Sequence, residues 1–367
     1  CSGRRPRIRH SLPEEQDFAA AEAALVGSVL PTCNCGQMTS SLATTVETAT
    51  GPIEASDLGR VLMHEHVFVI STEIQQNYPD EWGDEEVRIA DAVTRLNELK
   101  QAGIDTILDP TAIGLGRYIP RIARVAAQID LNIVVATGLY TFNELPHYYL
   151  RRVPEPGAVD AMTTHFVSDI VDGIADTGIK AAVIKCATDK PGVTPDVERT
   201  LRACAQTHRE TGVPITTHTN AEMRRGLEQQ DVFESEGVDL TRVVIGHCGD
   251  TDNIDYLKEI ADRGSYLGMD RFGIDGYLPS TARTAVVAEL CRQGYADRMV
   301  LSHDASCYID WIAGEVPRGA LPDWHYLHIS HDVLPALLED GVTPEQIDTM
   351  LVDNPKRFLE STALGGY

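Results

Sequence analysis

The sequence has no apolar run approaching the ~20 residues that a membrane-spanning helix needs. It is also poor in bases: 31 Lys and Arg stand against 55 Asp and Glu, a formal net charge of −24. Such a surface repels phosphate backbones and anionic lipid. Nucleic acid and membrane are therefore excluded as partners, and a small molecule is expected. The acidity itself reads as solubility. The eight cysteines lack the spacing of a disulfide framework. Cys33 and Cys35 fall near the N-terminus. Cys186 and Cys248 lie inside apolar runs and, by strand alternation, point towards packed helices as small hydrophobes. Reduced thiols in a cytoplasmic protein are the expectation. The chain does not begin with Met. Its first 37 residues carry bases, then acids, then a short Ala-rich stretch, without the shape of a secretory signal. Residues 1–50 are read as a leader, disordered or upstream of a native start at Met38, and 361–367 as a tail.

What is present between 51 and 360 is alternation. Eight short apolar runs occupy 61–69, 106–111, 132–140, 181–188, 215–219, 243–248, 265–273 and 299–305. Several are β-branched on both faces, as suits strands buried on both sides. Between them lie amphipathic helical segments, including Glu86–Ala102, Arg117–Gln128, Thr163–Ala175, Pro195–Thr211, Gly226–Glu236, Asn253–Arg263, Thr281–Gln293 and His331–Glu339. Pro344–Leu359 closes the chain. Eight strand-then-helix units predict a single-domain α/β fold, the (β/α)8 or TIM barrel. A doubly wound open sheet is the runner-up, but it would not gather groups from many strands at one point.

Barrel enzymes place their chemistry at the C-terminal ends of the strands. The first run offers His64 and His66 in His-Glu-His. Residues i and i+2 share a strand face about 6–7 Å apart, so both imidazoles can grip one ion while Glu65 turns away. The fourth run buries Lys185. The fifth ends in His218, the sixth in His247, and the eighth in Asp304. A single histidine at a strand end is usually structural, a buried lysine normally pairs with a carboxylate or goes neutral, and Asp304 alone could be a helix cap. Together, at one end of alternating units, they point to chemistry. Neutral imidazole and carboxylate suit zinc, and also cobalt, iron or manganese. A protonated lysine cannot ligate, but its neutral amine can add carbon dioxide, and the resulting carbamate can bridge two ions.

These motifs resemble the phosphotriesterase family of the amidohydrolase superfamily, most closely its phosphotriesterase-like lactonases. The matching segments are His64-Glu-His66, Val-Ile-Lys185-Cys-Ala, Thr-His218-Thr-Asn-Ala, Ile-Gly-His247-Cys-Gly-Asp, Asp-Arg271-Phe-Gly and Ser-His-Asp304. They cover the chain from about Gly51 to Leu359. The resemblance implies two divalent metal ions per chain. His64, His66 and Asp304 would hold the more buried ion, and His218 and His247 the more exposed one. Lys185, as N6-carboxylysine, would bridge them with a hydroxide. Asp304 would also shuttle the proton. Tyr140 matches the lactonase tyrosine beside the ester carbonyl, Arg271 marks the lactonase branch, and Asp250 corresponds to a carboxylate near the proton relay. Family resemblance further suggests a homodimer.

The segment Ala305-Ser306-Cys307 departs from the lactonase pattern, which leaves acyl-chain preference open. Ser306 and Trp311 are expected in the substrate pocket. His303 should face away from the metals. His325, His328 and His331 recur every third residue and are read as packing or surface. Gly114-Leu-Gly116 lacks the remainder of a phosphate loop. The reading is a binuclear metal hydrolase opening lactone rings, N-acyl-homoserine lactones foremost (a quorum-quenching activity), with weak phosphotriesterase activity. The alternatives are a phosphotriesterase proper, a metal-stabilised binding protein without turnover, and an amidase or carbohydrate-lactone hydrolase.

Overall fold

The computed structural model describes residues 44–312 and 321–360. The expected eight parallel strands are β1 (Val61–Leu62), β2 (Thr106–Asp109), β3 (Asn132–Gly138), β4 (Val183–Ala187), β5 (Ile215–His218), β6 (Val243–Ile245), β7 (Tyr266–Met269) and β8 (Met299–Leu301). They are hydrogen-bonded in sequence order from β1 to β8. The Met63 amide donates to the Leu301 carbonyl at 3.2 Å, so the seam between first and last strand nearly closes. Helices lie between successive strands, giving the (β/α)8 barrel. Almost every strand residue is buried, which explains why both strand faces are apolar.

Inside the ring, Val61, Met63, Leu108, Val134, Ala136, Val183, Val244 and Val300 pack with Phe358 and Leu359 of the last helix. Outside it, a larger layer joins strands to helices, and Cys186, Cys204 and Cys248 sit within that layer. The five described cysteines are free and buried. Each fully buried Leu, Ile or Val contributes roughly 1.5–3 kcal/mol. No helix among the described residues is long and apolar enough to cross a membrane.

Local sequence accounts for the helices. Asp84 caps Glu85–Gln101 by accepting from the Glu86 amide, and Thr194 caps Pro195–Thr211 with Pro in its first turn. The closing helix is not continuous. It runs Pro344–Asp348, widens to a π-turn over Thr349–Asp353 and resumes as Asn354–Leu359. Pro355 has no amide hydrogen, so the ladder opens just before it. Pro335 does the same after the wide turn Ile329–Val333.

Two boundaries differ from expectation. The run 61–69 is not one strand: after β1 the chain bends at 63–65, and His66–Val69 pairs in parallel with Ser306–Ile309 outside the ring. The Glu65 carboxylate is the cause. It accepts from Ser302 Oγ at 3.0 Å, the His303 amide at 2.8 Å and the Ala305 amide at 3.0 Å, tying the tip of β1 to the tip of β8. The folded unit also begins earlier than residue 51. Thr45–Val46 pairs with Ile53–Glu54, and Val46 is buried in the inner core. Residues 1–43 and 361–367, the rest of the expected leader and the tail, lie outside the described residues.

Candidate metal centre

The barrel gathers the six candidate ligands at the C-terminal ends of its strands. His66 Nε2 lies 3.2 Å and His64 Nε2 3.6 Å from Asp304 Oδ1. Lys185 Nζ is 3.1 Å from His64 Nε2 and donates to the Thr217 carbonyl at 3.2 Å. His247 Nε2 and His218 Nδ1 stand 2.8 Å apart with their rings nearly perpendicular. His247 (φ 59°) and Asp304 (φ 54°) both adopt left-handed backbone, and Arg271 has φ 92°. Three of the five non-glycine residues with positive φ among the described residues thus belong to this site, where strain of this kind collects. Gly246, just before His247, lets β5 approach: a Cβ there would meet the Thr217 carbonyl oxygen at 2.0 Å.

The outer nitrogens of the imidazoles are already committed. His64 Nδ1 donates to Asp270 Oδ2 at 3.0 Å, and His247 Nδ1 to Asp270 Oδ1 at 2.8 Å. His66 Nδ1 donates to the Thr111 hydroxyl at 2.7 Å, which donates onward to Asp109 at 2.5 Å. His218 Nε2 donates to Asp189 Oδ2 at 2.9 Å. Each ring is left with one lone pair aimed inward. At the 2.8 Å contact, two such lone pairs face each other, an arrangement that calls for a cation between ligands or a proton. Carboxylate-backed histidines with converging lone pairs fit divalent metal ions. The cluster of His64, His66 and Asp304 is compact enough to hold one. A cluster of His64, His247 and Asp270 is equally compact, but there the close atoms are the two Nδ1–H donors, so Asp270 reads as an orienting acceptor.

Electrostatics agree with ligation. Burial lowers the pKa of His64, to which Lys185 adds, and burial lowers His247 well below its usual value. Burial likewise brings His218 down to about 4. These rings are neutral at pH 7, as ligands must be. His66 differs: burial opposes its charge, but Asp109 and Asp304 prevail and raise it to about 9. Burial brings the Lys185 ammonium down to about 8, so a sizeable neutral fraction exists for addition to carbon dioxide. Asp304 stays ionised. Burial works against it, but His64, His66, His247 and Arg271 hold it well below the usual carboxylate range.

Above the ligands opens a cavity of about 310 Å³. Tyr140, Arg271, Ser306 and Trp311 all line it. The Tyr140 hydroxyl donates to His218 Nδ1 at 3.3 Å. Arg271 Nε donates to Asp304 Oδ2 at 3.0 Å and its Nη1 to Asp250 at 2.8 Å. Asp250 does not line the cavity; it joins Arg271 to the fully buried Arg283. Trp311 is 49% exposed, with its ring 6.0 Å from that of Tyr140. His303 is buried away from the ligands, donating to Glu65 and accepting the Ile329 amide. His325, His328 and His331 join no ligand cluster among the described residues; His328 pairs with Asp332.

The profile of the phosphotriesterase family matches residues 44–359. The chain belongs to the phosphotriesterase family. It is 60% identical over 324 residues to a phosphotriesterase homology protein of Mycobacterium tuberculosis, covering 88% of this chain and 99% of that one. A solved structure described as the phosphotriesterase from Mycobacterium tuberculosis superposes with a TM-score of 0.85, covering 88% of this chain and all of the other. An aryldialkylphosphatase of Saccharolobus solfataricus is 42% identical over 309 residues, covering 84% and 96% of the two chains. As a phosphotriesterase-family protein the chain is a hydrolase. Its His and Asp clusters are those that could bind the family's paired metals.

The carboxylates behind the ligands were not singled out from sequence. Asp109 and Asp270 end or follow strands next to those carrying ligands, which is the available signal. Asp189 sits in the loop after β4, and Phe142, whose ring is 4.9 Å from that of His218, sits in the loop after β3; neither carries a sequence signal.

Proposed function

We propose that this protein opens lactone rings, with N-acyl-homoserine lactones as the foremost substrate class and weak phosphotriester hydrolysis as a side activity. One observation carries the reading: Tyr140 and Arg271 both reach the ligand cluster from the cavity wall. Two divalent ions held by His64, His66, Asp304, His218, His247 and a carboxylated Lys185 would polarise the substrate oxygen and supply hydroxide at neutral pH. The protein's own groups do the rest. Burial and the neighbouring Asp304 raise the pKa of Tyr140, so its hydroxyl stays protonated and donates to the substrate oxygen. Asp304 Oδ2, held by Arg271 Nε, takes the proton and returns it to the departing alkoxide. Leu115, Phe142, Ile274, Ile309, Trp311 and Leu321 offer apolar wall for an acyl tail.

A second reading, phosphotriester hydrolysis as the main activity, is favoured by the name of the Saccharolobus relative. The test is a panel of lactones of varied tail length run beside an aryl dialkyl phosphate, with metal analysis of the same sample. Ring opening with kcat/KM above that for the triester supports the proposal. Strong triester turnover without lactone turnover reverses the order. Bound metal with no turnover of lactone, ester or triester would make the protein a binder.

A further inference from the structure

A second cavity, of about 340 Å³, adjoins the one above the metal centre and shares Ser306, Ile309, Leu321 and Trp324 with it. Its walls are helix Glu85–Gln101, through Arg88, Arg95 and Glu98, the strand Ser306–Ile309, and the stretch Leu321–Leu327. None of the six candidate metal ligands lines it. The volume falls within the range of small-molecule pockets, about 300–1,000 Å³.

Its chemistry is amphipathic. Arg88 and Arg95 are seven residues apart, two turns along one helix face, so both guanidinium groups are on one wall. Arg88 donates its Nε to the Trp82 carbonyl at 3.0 Å and lies 4.0 Å over the Tyr308 ring. It has no carboxylate partner among the described residues. Arg95 forms an ion pair with Asp91, Nε to Oδ2 at 2.8 Å, and its terminal nitrogens have no acceptor among the described residues. Glu98 is the one lining carboxylate. The apolar lining is Pro322 and Leu327, with Ile309, Leu321 and Trp324 shared with the catalytic cavity. Two cationic forks with unspent donors beside an apolar lining are complementary to a carboxylate bearing a hydrocarbon chain.

We infer that this cavity is a second binding site, adjoining the catalytic cavity but lined by none of the candidate metal ligands, for a medium-chain organic carboxylate. The inference does not rest on the lactonase reading. The site adjoins the metal centre through its floor. The Tyr326 hydroxyl contacts Cys307 Sγ at 3.3 Å and donates to the His66 carbonyl at 2.5 Å. Trp324 Nε1 donates to the carbonyls of His303 and Asp304, each at 3.2 Å.

The test titrates octanoate, octan-1-ol and octyltrimethylammonium into the metal-loaded protein by calorimetry. The comparison is wild type against Arg88→Met with Arg95→Met, Leu327→Trp and Trp311→Ala. The first variant keeps the apolar stems but removes both charges. The second narrows the cavity with the charges intact, and the third touches only the catalytic cavity. Thermal melts identify any variant that has not folded, and the other of the first two then decides. Expected are one octanoate per chain, at least about tenfold tighter than the alcohol or the cation, and a loss of about tenfold or more in the first two variants. Trp311→Ala leaves that affinity unchanged. The inference is overturned if octanoate fails to bind. It is also overturned if affinity survives both of the first two variants or falls only in Trp311→Ala, which would put the acid in the catalytic cavity.

Discussion

Asp270 is one carboxylate doing two jobs, and Asp270→Asn separates them. In the native site Oδ2 accepts from His64 Nδ1 at 3.0 Å, while Oδ1 accepts from His247 Nδ1 at 2.8 Å and from the His247 amide at 2.7 Å. An asparagine has one acceptor and one donor in their place. Its oxygen should stay with His247, where two donors wait, because a buried amide without a partner costs about 1–3 kcal/mol. The NH2 then confronts His64 Nδ1–H, donor against donor. His64 escapes by moving its proton to Nε2, which removes the lone pair aimed at Asp304 and Lys185. Losing such an orienting partner typically costs 10–100-fold in metal affinity, about 1.4–2.7 kcal/mol. The loss should fall on the ion held by His64, His66 and Asp304 and leave the other nearly untouched. Asp270→Ala removes both supports and should weaken both ions. Equilibrium dialysis against buffered free zinc, with elemental analysis, reads occupancy per chain, and thermal melts control for folding. Two ions bound with native affinity in the folded Asn variant would refute the reasoning.

Lys185→Ala should lose metal and activity together, and added short carboxylates should partly restore both; a fully active variant would reject the bridging role. Metal uptake should release protons and tighten with pH. In the metal-free protein His66 is protonated below about 9 and Lys185 below about 8, and both must shed that proton to ligate. Zinc titrations in buffers of different ionisation enthalpy should show more than one proton released near pH 7 and affinity rising from pH 7 to 9; a pH-independent affinity would contradict it. Asp189→Asn keeps an acceptor for His218 Nε2 and should change zinc affinity by less than about threefold, whereas Asp189→Ala should cost 10–100-fold at the His218–His247 site. Equal losses in the two variants would show that the hydrogen bond is not what Asp189 supplies.

The strands and ligands were legible because their signals are local. β4 is five buried residues with one lysine among them, and no packing need explains that lysine. The helix Pro195–Thr211 announces both its ends, by Thr194 with Pro195 and by Gly212 in left-handed backbone. Where signals become non-local, sequence reading fails in a characteristic way. The expected strand 61–69 is apolar on both sides of His64-Glu65-His66, so periodicity cannot see its bend; the bend is imposed by the Ser302 hydroxyl and the His303 and Ala305 amides, 237–240 positions away, that reach Glu65. Asp270 lies within the Asp-Arg-Phe-Gly motif, yet β7 supplies no ligand, so nothing in the local sequence marks it as part of the site. Its role follows from closure of the barrel, which sets β7 beside β6 and aims one carboxylate at imidazoles from β6 and from the bend after β1. A residue that orients ligands on two other elements has no signature of its own in one dimension. It becomes visible only once the ring is built, and the Asn substitution tests whether that reading of the ring is right.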